Sequence, residues 1–378
     1  MPRIHSALAI CLLSTLIPAT LIPGVALSQG EWEITVESEA AAEAGLEWLA
    51  RNQTAQGNWQ SNDLGLVGLG ALAFLSAGHA PDRGEYGDNV RLALEYIVKN
   101  AKPSGLLNSA DAGRDMYNHG LAVFVLTQAY GLTNDRQLSE TLDRGIRLTI
   151  DIQCEDGSWD YRAERKQRGH DLSLCVMQAK ALRGATDIGL EIPPNTIEMA
   201  ISAVRNYYKP MGGPDGKKYG DHPDAARPGA FTYNGGGTTT AMAACGAVCL
   251  QEYGMYTDFR IQRSMDRVCQ DIEQRMPVRA GHIPFDAYTM YYVAQGLYQI
   301  GGTRWKTYYP KIRNATVQSQ TRSGDPATNG AWEGGRVGGV PGKLFGTSTA
   351  VFLLSIPNRY LPILQQGEAV AGAAADDS

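Results

Sequence analysis

The sequence lacks a block of basic residues and any lysine–arginine stripe, and its 39 acidic side chains outnumber the 34 basic ones. Nucleic acid is therefore not an expected partner, because phosphate binding needs a concentrated positive face. Sustained alternation of apolar and polar residues is nearly absent outside short segments, which excludes a sheet-built protein. After the first thirty or so positions, no apolar stretch reads as reaching the roughly 18–20 residues a membrane-spanning helix needs. Cysteine is scarce, with 6 in the chain. Cys154, Cys175, Cys245, Cys249 and Cys269 follow Cys11, an odd number that excludes a fully paired set within one mature chain. Cys245 and Cys249 share a helical face, but no His-rich partner lies nearby, and buried free thiols are expected. No metal or cofactor motif is present, and neither is expected to be required.

The chain opens with Arg3 and His5, then an apolar run from Ala7 to Ile22 interrupted by Pro18, then Ala26-Leu27-Ser28. A basic start, a short apolar core and small residues before a cleavage point predict a secretory signal peptide over residues 1–28. Export to the periplasm, cell envelope or extracellular space follows, with a soluble mature chain. Residues 29–366 are expected to form one domain and 367–378 a disordered tail. Glycine is abundant at 43 residues but spread between apolar segments, which suits many short connections.

Internal repetition organises the mature chain. Gly45–Trp59 and Gly145–Trp159 each end in Gln, three residues, Gly, one residue, Trp: Gln53, Gly57 and Trp59 in the first, Gln153, Gly157 and Trp159 in the second. Ala93–Leu107 keeps Gly105 but has Ala101 and Leu107 at the outer positions. Weaker copies fall around Met199–Tyr219 and Met265–Phe285, and a stretched one runs from Ile312 through Gln320 to Trp332. Each copy ends an amphipathic helix; Leu138, Leu142, Ile146 and Ile150 form one stripe, with Asn134 and Asp135 as caps. A second helix follows each copy, apolar nearly all round: Leu64–Leu75, Gly120–Tyr130, Leu172–Leu182, Ala241–Gln251, Tyr288–Ile300 and Ser348–Ile356. Helices with hardly any polar face must be buried on most sides. Six alternations of half-buried and fully buried helices predict two concentric rings.

The Gln-x-x-x-Gly-x-Trp motif resembles the Gln-Trp repeat of squalene and oxidosqualene cyclases, and the six helix pairs resemble the α6/α6 toroid they share with protein prenyltransferase β-subunits. The resemblance implies an all-α toroid of the terpenoid-cyclase and prenyltransferase superfamily over nearly the whole mature chain. It implies a structural role for the motif, the Gln amide meeting free backbone groups at a neighbouring helix start and the Trp packing in the turn. The superfamily's catalytic motifs do not follow. No Asp-x-Asp-Asp occurs, consecutive aspartates being confined to Asp376-Asp377, and no Asp-x-Cys occurs, since Cys269 and Asp271 stand in reverse order.

In such a ring the inner helices run the same way, so their N-termini converge at one mouth, where partial positive charge and free N–H groups suit polar ligands. The residues before them are polar, and they include the site candidates. His119, His170 and Asp171 are the catalytic candidates, because a His beside an Asp can be oriented for acid–base work near neutral pH. Asp63, Tyr117, Tyr233, Asp286 and Tyr288 are the ligand-binding candidates. Tyrosine outnumbers phenylalanine, 18 to 7, which suits a polar ligand because buried hydroxyls require partners. Three functions stay open: an isoprenoid or lipid cavity; a carbohydrate hydrolase or lyase drawing on Asp63, Asp115, Asp171 or Asp286; or an interaction domain without catalysis.

Overall fold

The computed structural model describes residues 32–279, 281–334 and 339–365. The expected signal peptide and tail lie outside the described residues. Twelve long helices form six pairs. The outer ring comprises α1 (Val36–Asn52), α3 (Gly87–Lys99), α5 (Arg136–Asp151), α7 (Pro194–Asn206), α9 (Phe259–Arg275) and α11 (Gly302–Ser319). The inner ring comprises α2 (Leu64–Ser76), α4 (Asp115–Thr133), α6 (Leu172–Asp187), α8 (Thr240–Glu252), α10 (Ala287–Ile300) and α12 (Gly339–Ser355). Each inner helix packs on the next and α12 packs back on α2, closing the ring. Among the described residues the only strands are β1 (Tyr208–Pro210) and β2 (Gly229–Phe231), an antiparallel pair. The fold is an all-α α6/α6 toroid.

Sequence periodicity explains the two layers. In α5 the buried positions Leu138, Leu142 and Ile146 lie on one face, and Asp135 caps its start by accepting from Gln137 N at 2.8 Å. Asn134 instead ends α4 in the left-handed conformation. In α2 every residue but Leu66 is buried, because other helices cover it on nearly all sides. The stretch Gly339–Asn358 corrects one expectation: it is long and apolar enough to span a membrane, yet most of it is buried inside the ring. Its burial comes from neighbouring helices. The five cysteines are free and buried.

The repeated Gln and Trp are tie points. Gln53 donates from Nε2 to Gly57 O at 3.0 Å and Asn89 O at 2.9 Å, joining the end of α1 to the start of α3. Gln153 does the same to Gly157 O and to Thr196 O of α7, and Gln320 to Gly330 O and to Ala41 O of α1. The amide therefore serves carbonyls in the first two turns of the next helix, not its N–H groups. Trp59, Trp159 and Trp332 each donate from the indole to a carbonyl of their own outer helix, at Leu49, Thr149 and Thr316. Gly57 and Gly157 are required for the same closeness. Their φ values are +92° and +84°, and a Cβ there would lie 2.1 Å from Leu92 O or 2.2 Å from Met199 O.

The far end of the ring is covered. Ile363 of the short helix α13 (Pro362–Gln365) donates its N–H to Gln128 Oε1 of α4 at 3.1 Å, and Tyr298 of α10 donates to Leu364 O at 2.7 Å.

Candidate functional site

Chemistry concentrates where α4, α6 and α8 begin. Asp171 is the N-cap of α6, with a fully buried side chain. Its Oδ1 accepts from Ser173 N at 2.8 Å and also from the Ser173 hydroxyl. Its Oδ2 lies 2.7 Å from His170 Nδ1. The imidazole is 49% exposed, so one nitrogen rests on a buried carboxylate while the rest of the ring meets solvent.

Tyrosines wall this pair. Tyr161 meets the His170 ring edge-on at 4.7 Å between centroids, and Tyr233 lies at 6.3 Å. The two phenol oxygens are 2.5 Å apart. Tyr117 stacks on Tyr161 at 5.8 Å and donates to the Ser173 hydroxyl. Burial, the largest cause in each case, raises the pKa of Tyr117, Tyr161 and Tyr233, with Asp171 adding to the effect. The phenols thus stay neutral and donate hydrogen bonds. Backbone bonds hold them in place: Met116 N donates to Tyr161 O and Leu172 N to Tyr233 O, each at 3.0 Å.

The mouth therefore gathers His170, Asp171, Tyr117 and Tyr233. Tyr288 stands beside them on α10, its hydroxyl 3.4 Å from Cys245 Sγ. Burial raises the Cys245 thiol's pKa, which keeps it protonated. Tyr161 and Ser173 were missed by sequence reasoning. The available signal for Tyr161 was the long connection from Trp159 to Asp171, compared with the short one from Trp59 to Asp63. Nothing in the sequence marked Ser173.

His119 does not belong to this group. Because α4 begins at Asp115, five residues earlier than expected, Tyr117 and His119 are both helical and point about 200° apart at ~100° per residue. Tyr117 faces the mouth and His119 faces α5. There its Nδ1 accepts from Leu107 N at 3.1 Å, and its Nε2 lies 3.1 Å from Gly145 O and 2.9 Å from Thr149 Oγ1. The ring is wholly buried, and burial pushes its pKa down to about 4. It is a structural histidine.

Three carboxylates also serve structure. Asp63 caps α2 by accepting from Leu66 N at 3.0 Å, with Arg114 at 3.6 Å. Asp115 accepts from Asn108 Nδ2 at 2.7 Å. Asp286 caps α10 through Thr289 N and Oγ1, and borders a separate cleft of about 470 Å³ that also contains Phe285, Trp332 and Glu333. Among the described residues no cluster of His, Cys, Asp and Glu has metal-binding geometry.

An all-α toroid with one polar, tyrosine-walled mouth defines the class. No protein-family model and no curated protein sequence matches the chain. Solved structures do. The α-1,6-mannanase GH76A of Salegentibacter sp. HEL1_6 is similar, with TM-score 0.52 and 14% identity over 84% of this chain and 98% of that one. An inactive variant of it in complex with α-1,6-mannotriose aligns over 87% of this chain and 100% of that one, with TM-score 0.52 and 14% identity. A second inactive variant, with α-1,6-mannotetrose, aligns over 88% and 100% at 11% identity, with TM-score 0.51. These likenesses establish the ring. They are to mannanases, so the expected kinship with terpenoid cyclases and prenyltransferases is supported only as far as the toroid itself.

Proposed function

We propose that the chain is an exported saccharide-cleaving enzyme, which binds its substrate across the tyrosine-walled mouth and uses His170 as the base. The carrying observation is a half-exposed imidazole anchored through Nδ1 to a buried carboxylate that already accepts two other hydrogen bonds. That contact favours the Nδ1–H tautomer and leaves the Nε2 lone pair to take a proton. Neutral phenols beside it suit both stacking on sugar rings and hydrogen bonding to hydroxyl or glycosidic oxygens.

The similar mannanase structures, two of them holding mannooligosaccharides, support a saccharide ligand. Their inactive variants alter two consecutive aspartates. Here consecutive aspartates occur only at Asp376-Asp377, outside the described residues, so the proton chemistry is assigned to His170 and Asp171. Hydrolysis by a carboxylate pair needs both groups facing the bond across the cleft, whereas Asp63, Asp171 and Asp286 are each occupied as helix caps. The isoprenoid reading has less support. Tyr291, Tyr292, Phe352 and Met177 pack against one another inside the ring, where an apolar chamber would have to open.

The test is a panel of neutral and acidic polysaccharides incubated with the purified protein. Products are scored for new reducing ends, from hydrolysis, and for ultraviolet-absorbing unsaturated ends, from elimination. The expectation is cleavage of at least one polymer, abolished by His170→Gln with little change in melting temperature. Cleavage undiminished in His170→Gln would overturn the assignment.

A further inference from the structure

Ser173 is the second residue of α6 and, at 2% exposed, has no open route to the mouth. It nevertheless joins two groups that have one. The Tyr117 phenol donates to Ser173 Oγ, Ser173 Oγ donates to Asp171 Oδ1, and Asp171 Oδ2 meets His170 Nδ1. A serine hydroxyl has one proton. Because its oxygen accepts from Tyr117, that proton is free to point at Asp171 and its direction is fixed.

We propose that Ser173 is a positioning residue, which holds Asp171 in the orientation that sets the tautomer of His170. The proposal rests on the reading of His170 as the working base, but the hydrogen-bond relay it describes is testable without a substrate. Asp171 accepts from Ser173 N and Ser173 Oγ on Oδ1 and meets His170 Nδ1 on Oδ2, and the Tyr161 and Tyr233 phenols also interact with it. Removing the Ser173 hydroxyl frees the carboxylate to turn about its Cβ–Cγ bond, which loosens the hold of Oδ2 on the imidazole. The other groups facing His170 are the neutral phenols of Tyr161, from the preceding loop, and Tyr233, from the segment before α8. Neither carries charge in the neutral range, so the carboxylate dominates.

The experiment is ring nitrogen NMR of His170 at one fixed pH in the full mature chain, which reads the balance of Nδ1–H and Nε2–H forms, with the signals assigned by their loss in His170→Gln. Ser173→Ala is expected to shift that balance away from the Nδ1–H form, and Tyr117→Phe to shift it by less. Ser173→Thr, which keeps the hydroxyl, is expected to restore it. If a cleaved polysaccharide has been found, Ser173→Ala should cleave it more slowly and Ser173→Thr close to the natural rate. The fall should be in kcat with KM held, as for a group that orients a base without touching substrate. An unchanged tautomer balance in a folded Ser173→Ala protein overturns the proposal. Should that variant fail to fold, an unchanged tautomer balance in Tyr117→Phe overturns it instead. A shifted tautomer balance in a protein that cleaves no polysaccharide would leave the relay standing and sink the functional reading alone.

Discussion

Acidifying the protein from about pH 7 to about pH 5 should expose the structural role of His119. Burial lowers its pKa from 6.5 to about 4, and no carboxylate compensates, since its partners are Leu107 N, Gly145 O and Thr149 Oγ1. As the pH falls, the unfolded chain takes the proton first. The stability contribution is therefore fully present above the unfolded pKa and is lost progressively as the pH falls toward the folded one. With those two values, the loss over the two-unit interval works out at about 2 kcal/mol from this residue. His79, whose pKa burial also lowers, adds in the same direction. Denaturant unfolding at the two pH values, in the natural chain and in His119→Gln, separates the contributions. A glutamine amide can donate to Gly145 O and accept from Leu107 N without titrating, so the variant should lose about 2 kcal/mol less than the natural chain on acidification. Equal losses in the two proteins would refute the assignment of a neutral, buried imidazole.

Two other predictions concern the rings. Trp159→Ala should cost ~3–5 kcal/mol of unfolding free energy, because it empties a fully buried site and leaves the Thr149 carbonyl without its indole donor; the folded variant should keep the His170 ring NMR signals in place, and their displacement would show that the repeat shapes the mouth. Lys180, buried on α6, donates to Glu252 at 3.1 Å and to Gln295 at 2.5 Å. Lys180→Met should cost about 3–5 kcal/mol by leaving a buried carboxylate without its cation, while Lys180→Met with Glu252→Gln should recover most of it. A double variant no more stable than the single one in denaturant titration would contradict that account.

The sequence by itself determined the ring. Six copies of an outer amphipathic helix and an inner apolar helix leave few ways to bury the inner set other than to close them on one another. The Gln-Gly-Trp spacing marked the places where one repeat is tied to the next. It also located the mouth, because the polar residues preceding apolar helices are visible as a pattern. What it could not decide was direction at the scale of one side chain. Whether Tyr117 and His119 both face the mouth depends on where α4 begins, and that start is set by a 3₁₀ turn at Ala112–Arg114 and by the bond from Met116 N to Tyr161 O. The second partner is distant in sequence. Tyr161 and Tyr233 likewise meet only after two connections fold over the same helix start. The repeats are local and periodic, so they survive in the sequence as a pattern; the site is built where three connections cross, and only the closed ring brings them together.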